Sequence, residues 1–250
     1  SSEGRPAKKD DIKSISNLTK TCALDSRLFS MYSDTASGKS WFIVPDSMLE
    51  KEFIYFSQVE DGVLQTGNFR GSYRSSKIIT FHKHFDRIEV RQENTSFYFN
   101  PESPLALAEN ANINTPILAS LDIKATEGED SIFLISGDAL FLSEKISMIK
   151  PPSRPGSKSA LGKLSSSKTK ITDFNNYPEN LEVIVDFVYD NANPSVRASA
   201  LTDSRYITVG YSHALMQMPE DGFTPRKDDA RIGFFMTQVN DMTSTDLTPW

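Results

Sequence analysis

The chain has 250 residues, of which 38% are hydrophobic and 24% charged, and its formal net charge is -6. That length can bury a real core, as one large unit or two small ones. The acidic balance excludes a general nucleic-acid binder, which needs concentrated cationic surface to displace counterions.

No run approaches the roughly 20 consecutive apolar residues of a membrane-spanning helix. Cys22 is the sole cysteine, which rules out an internal disulfide and a cysteine-rich zinc site, so packing must supply the stability. The sequence begins Ser1-Ser2-Glu3-Gly4 without an initiator Met or a signal peptide. We therefore expect a processed start, consistent with export to the periplasm, outer surface or medium.

Residues 1–24 are expected to form a mobile N-terminal arm. From there the dominant hydrophobic period is two, as in strands with one buried face. Leu28 to Tyr32 and Trp41 to Val44 flank Ser37-Gly38 and predict a hairpin. Pro45 to Glu50 predicts a short helical turn, with Asp46 or Ser47 as its cap. Phe53 to Phe56 returns to strand.

Ile78 to Phe85, Arg87 to Gln92 and Thr95 to Asn100 predict a three-strand antiparallel meander, with breaks near Asp86 and at Glu93-Asn94. Pro101 to Ala108 is more helical, and Pro116 limits its continuation. Ile117 to Ala125 and Ile132 to Ser136 are extended. The stretch from Lys150 to Lys158 is rich in Pro and Ser and cannot sustain a ladder. We expect a long loop near 150–160 within one unit, because the later strands are too few to close their own core.

Leu181 to Tyr189 gives the clearest alternation, with every odd position apolar. Tyr206 to Leu215 is expected to pair with it across Asn191 to Pro194. The predicted fold is mainly β, with antiparallel sheets in a sandwich- or barrel-like arrangement and a few short helices. Residues 25–240 form the β-rich domain and 241–250 a connector.

Few residues carry recognisable chemistry. His82-Lys83-His84 places two imidazoles on one strand face, and Glu89 follows at a spacing reminiscent of cupin metal sites. The likeness stops at Ser76, where that pattern has glycine, and no matching downstream histidine motif follows. Ile79, Phe81 and Phe85 have the opposite parity, which favours a water-facing pair over a metal site. His213 shares parity with Val209, Tyr211 and Leu215, the pattern of a hydrogen-bonded, partly buried histidine. Cys22 is a candidate latency thiol, able in principle to occupy the open position of a catalytic zinc. Its plainer reading is a small residue packed near the first strand. Gly67 to Arg74 presents Arg70 and Arg74 among Phe69 and Tyr73, either as a recognition loop or as a turn-rich connection.

Tyr177-Pro178-Glu179-Asn180-Leu181-Glu182-Val183 is followed by Tyr211-Ser212-His213, then Met218-Pro219. Pro225-Arg226 with Asp229-x-Arg231-x-Gly233-Phe234-Phe235 completes the series. In that order these motifs resemble the N-terminal β-rich domain of unknown function that precedes the catalytic domain in large bacterial zinc-dependent, metzincin-like metalloproteases. Trp41 to Pro45 with Leu49 also fits that region. The resemblance implies a downstream catalytic domain whose His-Glu-x-x-His holds zinc, with the glutamate as general base. His82, His84 and His213 are followed by Lys83, Phe85 and Ala214, so no catalytic residue carries over and no cofactor is expected in these residues. Arg226 and Arg231 can form forked contacts with Asp228 or Asp229, either as an internal clasp or as a docking loop.

The leading expectation is thus a non-catalytic accessory or pro-region of a secreted bacterial zinc protease. It would assist folding, latency or substrate positioning, and its partners would be its own catalytic domain and peptide or protein substrates. A separate glycan- or protein-binding module built on Phe69 to Tyr73 is the alternative. A small metalloenzyme using His82, His84 and Glu89 is the third.

Overall fold

A computed structural model describes residues 13–100, 102–108, 111, 113–128, 131–150, 159–220, 222 and 239–242. The chain opens with β1 (Lys13–Ser14), α1 (Ile15–Leu18) and β2 (Cys22–Ser26). The arm expected over 1–24 is therefore built into the fold from residue 13. Lys13 and Ser14 pair in parallel with β10 (Ala125–Glu127), and Ile15 is buried against Leu134 and Ala125.

β3 (Ser30–Asp34) and β4 (Ser40–Pro45) form the expected hairpin, whose turn uses Gly38 at a φ of 72°. The helical turn after Pro45 is a 3-10 turn, Asp46–Met48, but neither Asp46 nor Ser47 caps it. Pro45 holds the N-cap position and has no side-chain acceptor, while the Asp46 N–H is taken by the Ser131 carbonyl at 2.7 Å. β5 (Glu52–Asp61), β6 (Tyr73–His84), β7 (Arg87–Gln92) and β9 (Ile117–Asp122) are successive antiparallel neighbours.

The meander's third strand is thus Ile117–Asp122, not Thr95–Asn100. Within the latter only β8 (Phe97–Tyr98) is extended, and it pairs in parallel with β16 (Asn240–Asp241), away from the larger sheets. The reason is burial: Ala119 and Leu121 give β9 an inward face, whereas Phe97 and Tyr98 stay exposed. Asn240 and Asp241 in that pair also tie down the start of the expected connector.

From β9 the chain crosses sheets to β10, β11 (Ile132–Ser136) and α2 (Gly137–Phe141), whose first turn is capped by Ser136 Oγ accepting the Ala139 N–H at 3.1 Å. It then returns for β12 (Lys163–Leu164), β13 (Lys170–Asn176), β14 (Asn180–Asp190) and β15 (Tyr206–Gln217). One sheet has the order β1-β10-β11-β4-β3-β2, and the other β12-β14-β15-β5-β6-β7-β9, with β13 also paired to β14. The predicted pairing of the last two long strands holds from Asn180↔Met216 to Asp190↔Tyr206, although their connection runs well past Pro194. Residues 151–158 of the Pro- and Ser-rich loop lie outside the described residues. The strands that follow join the sheet begun by β5.

The fold is mainly β, with antiparallel sheets and only short helices. Phe29 from the β2–β3 turn and Phe42 from β4 meet Phe53 and Phe81 of the other sheet, with Phe29–Phe42 and Phe29–Phe53 centroids 5.0 and 5.1 Å apart. Burying each such ring stabilises the fold by roughly 1.5–3 kcal/mol. Among the described residues no helix is long and apolar enough to cross a membrane.

Candidate functional site

The polar groups nearest to a functional constellation lie inside the fold. β5 turns Phe53, Tyr55, Ser57 and Val59 inward by strict alternation, and β15 supplies Tyr211 and His213. The register sets His213 opposite Ser57 and Leu215 opposite Tyr55. Tyr55 Oη and His213 Nδ1 lie 2.7 Å apart. Beside them, Tyr211 Oη donates to Ser57 Oγ at 3.0 Å, and Ser147 Oγ lies 2.5 Å from Tyr211 Oη and 3.2 Å from Ser57 Oγ.

Ser147 belongs to the segment following α2, which lies across this part of the core. Lys77 Nζ donates to the Ile146 carbonyl at 2.7 Å, and the Ile149 and Lys150 amides donate to Glu144 Oε1.

Burial governs the electrostatics. His213 is fully enclosed, and the loss of solvent drives its pKa down to about 3, so the imidazole is neutral at ordinary pH. Burial also pushes the Tyr55 and Tyr211 phenols up, and pulls the half-buried Lys77 ammonium down. Among the described residues His213 Nε2 has no hydrogen-bond partner, and aromatic rings surround it, with Phe141 and Phe187 centroids 5.8 and 5.9 Å from its own. We assign the proton to Nε2, facing these π systems, so that Tyr55 donates to Nδ1. The cluster is a neutral, sealed network that no solvent-borne substrate reaches.

The residues singled out from the sequence are dispersed. His82 Nε2 lies 3.0 Å from Thr80 Oγ1 and its Nδ1 lies 3.9 Å from Glu50 Oε1. Its cross-strand neighbour Glu89 is largely covered and is held by Arg91 at 2.8 Å. His84 is exposed at the strand end and touches the ring of Phe85. Among the described residues no three His, Cys, Asp or Glu side chains are placed to hold a metal ion together.

The alternation predicts that Phe85 shares the inward face of Ile79 and Phe81, and the structure corrects this. The β6–β7 turn takes it to a φ of 51° and leaves it 83% exposed. Cys22 lies on β2 opposite Asp34, and burial, then the Asp34 charge, raises its thiol pKa, which disfavours the thiolate. Arg226, Asp228, Asp229 and Arg231 lie outside the described residues.

The aromatic loop is pre-shaped. Gly67 and Gly71 take φ values of 77° and 76°, and Arg74 Nη2 donates to the Gly67 carbonyl and to the buried Asn68 Oδ1, each at 2.7 Å. Arg74 is therefore a tether for the loop, while Phe69 and Tyr73 remain 50% and 61% exposed. The parity of His213 marks it as hydrogen-bonded and partly buried, and it is in fact fully buried; its partners escape the sequence reading because Tyr55, Ser57 and Ser147 carry no motif. The signal in the sequence was the shared parity of Tyr211 and His213, together with Tyr55 at an inward position of β5.

A family model described as a domain of unknown function, DUF5117, matches residues 71–247. The chain belongs to the DUF5117 family. No curated protein and no solved structure matches it. The DUF5117 match spans the strands from the end of the aromatic loop to β16, including Tyr211 and His213, whereas Tyr55 and Ser57 precede it.

Proposed function

We propose that this chain is a non-catalytic accessory region of a bacterial zinc-dependent metalloprotease, acting in folding, latency or substrate positioning beside the catalytic domain. The observation that carries this reading is how the motif residues of that resemblance are used. Leu181, Val183, Tyr211 and His213 lie fully inside the fold, and Ser212 Oγ donates to Glu182 Oε1 at 2.7 Å. The Tyr177 carbonyl accepts the Leu28 amide at 3.1 Å and so joins the two sheets. Those of the motifs that lie within the described residues thus serve as scaffold, as an accessory region requires. Export of the protein, and zinc in the neighbouring catalytic domain, belong to the same proposal.

The test is to purify the chain, measure bound zinc and peptidase activity, and titrate it onto the catalytic domain encoded with it. Binding that alters the activity of that domain, without activity of the chain's own, is the expected result. Intrinsic peptidase turnover, or no effect on the catalytic domain, overturns the reading.

A second reading, a glycan- or protein-binding module, is favoured by Phe69 and Tyr73 on the loop that Arg74 tethers, since solvent-facing aromatics concentrate binding energy. Binding on a glycan array that is lost in Tyr73→Ala would support it, and an unchanged profile in that variant would remove it.

A further inference from the structure

We propose that the cleft where the two sheets meet beside α2 binds a single oxyanion, of phosphate or carboxylate type. This is independent of the accessory-region reading. The cleft encloses about 220 Å³ and is lined by Arg87, Ser120, Asp122, Lys124, Ser136 and Lys145. Three cations around one carboxylate make a local positive excess in a chain whose net charge is -6.

The carboxylate is already committed. Asp122 Oδ1 pairs with Arg87 Nη2 at 3.1 Å and Oδ2 with Lys124 Nζ at 2.9 Å. The Lys124 hydrogen bond and charge, with the charges of Arg87 and then Lys145 adding to them, hold its carboxyl below the usual range. Asp122 thus fixes two cations in place, while Lys145 forms no ion pair among the described residues.

The hydroxyls add directionality. Ser120 Oγ accepts from Arg87 Nε at 2.8 Å, and Ser136 Oγ accepts from the Ala139 amide at 3.1 Å. Each hydroxyl has one proton of its own to give, and among the described residues neither donates it. The cleft therefore offers two uncommitted O–H donors and, in Lys145, an ammonium that feels the Asp122 charge but makes no direct ion pair among the described residues, beside two further cations. Charge-assisted donors of this kind are what an oxyanion requires. The volume lies below the roughly 300–1,000 Å³ of pockets for drug-sized ligands, which suits one anionic group with its water and not a nucleotide.

The experiment is an NMR titration of the labelled chain with inorganic phosphate, and separately with acetate, at constant ionic strength. Phosphate is expected to produce saturable shifts confined to the amides around Ser120, Lys124, Ser136 and Lys145. Lys145→Ala should weaken this binding by about tenfold, the loss of one charge-assisted hydrogen bond, without changing the melting temperature. Saturation by acetate at the same amides marks the carboxylate as an accepted ligand, and silence of acetate reserves the site for phosphate. Shifts that never saturate or that spread over the surface, or equal phosphate affinity in Lys145→Ala, overturn the proposal.

Discussion

Tyr55 and His213, on adjacent strands β5 and β15, are joined through a 2.7 Å contact in which neither residue is open to solvent. Among the described residues His213 Nε2 has no hydrogen-bond partner and faces aromatic rings, so Tyr55 Oη is what satisfies the imidazole. Replacing Tyr55 by Phe strands Nδ1 in the core, and should cost about 1–3 kcal/mol in urea unfolding. Pairing Tyr55→Phe with His213→Leu should cost less than the sum of the two single variants, because both polar partners leave together. Strict additivity in that cycle would show that the contact contributes nothing.

Acid should unfold this protein earlier than its carboxylates require. The His213 pKa falls to about 3 in the folded chain from an ordinary 6.5, so the unfolded state takes up the proton first as pH drops. Its contribution is complete above pH 6.5 and is lost as pH falls towards 3, with a slope approaching about 1.4 kcal/mol per pH unit. Asp34, Asp122 and Asp203 also have lowered pKa values through their hydrogen bonds, and they add to the loss only in the carboxylate range. Denaturant midpoints of the natural protein should slope between pH 6 and 4, and those of His213→Gln should be flat there. Parallel profiles would reject the assignment.

The tip of the β6–β7 hairpin is occupied by an unsuitable residue. Phe85 takes a φ of 51°, a left-handed conformation that crowds any Cβ, and its ring is exposed. Phe85→Asn, which tolerates that region, should raise stability by up to about 1 kcal/mol in thermal unfolding. A fall in the melting temperature would mean that the His84–Phe85 ring contact outweighs the backbone cost.

Gly162 tests the edge of the larger sheet. A Cβ there would clash with the Asp190 carbonyl oxygen, so β12 and β14 could not keep their spacing. Gly162→Ala should destabilise by about 1–3 kcal/mol. Amide exchange should quicken at Lys163, Leu164 and Asp190 before it does elsewhere. Unaltered exchange at these three would show that β12 contributes little to the edge.

Local alternation makes much of the fold legible in the sequence itself. The buried odd positions of Leu181 to Tyr189 and the Ser37-Gly38 hairpin follow directly from side-chain period and turn chemistry. The failures have a common physical source. Thr95 to Asn100 has strand propensity but no inward face, and β9, with Ala119 and Leu121, wins the edge of β7. The histidine cluster depends on Tyr55 and His213 being brought together across 158 positions of chain, a juxtaposition that no local pattern encodes. His82 and His84 share a face as parity predicts, but their separate surroundings, Thr80 and Glu50 for one and Phe85 for the other, come from the turn geometry.

The placement of β15 between β14 and β5 has a consequence for biosynthesis. β5 ends at Asp61 and its inner neighbour begins at Tyr206, so one flank of an early strand waits unpaired while most of the polypeptide is still being made. Such distant pairing slows folding and leaves an adhesive flank available to other nascent chains. A product truncated ahead of Tyr206 would therefore be a clumping hazard and not a smaller working unit.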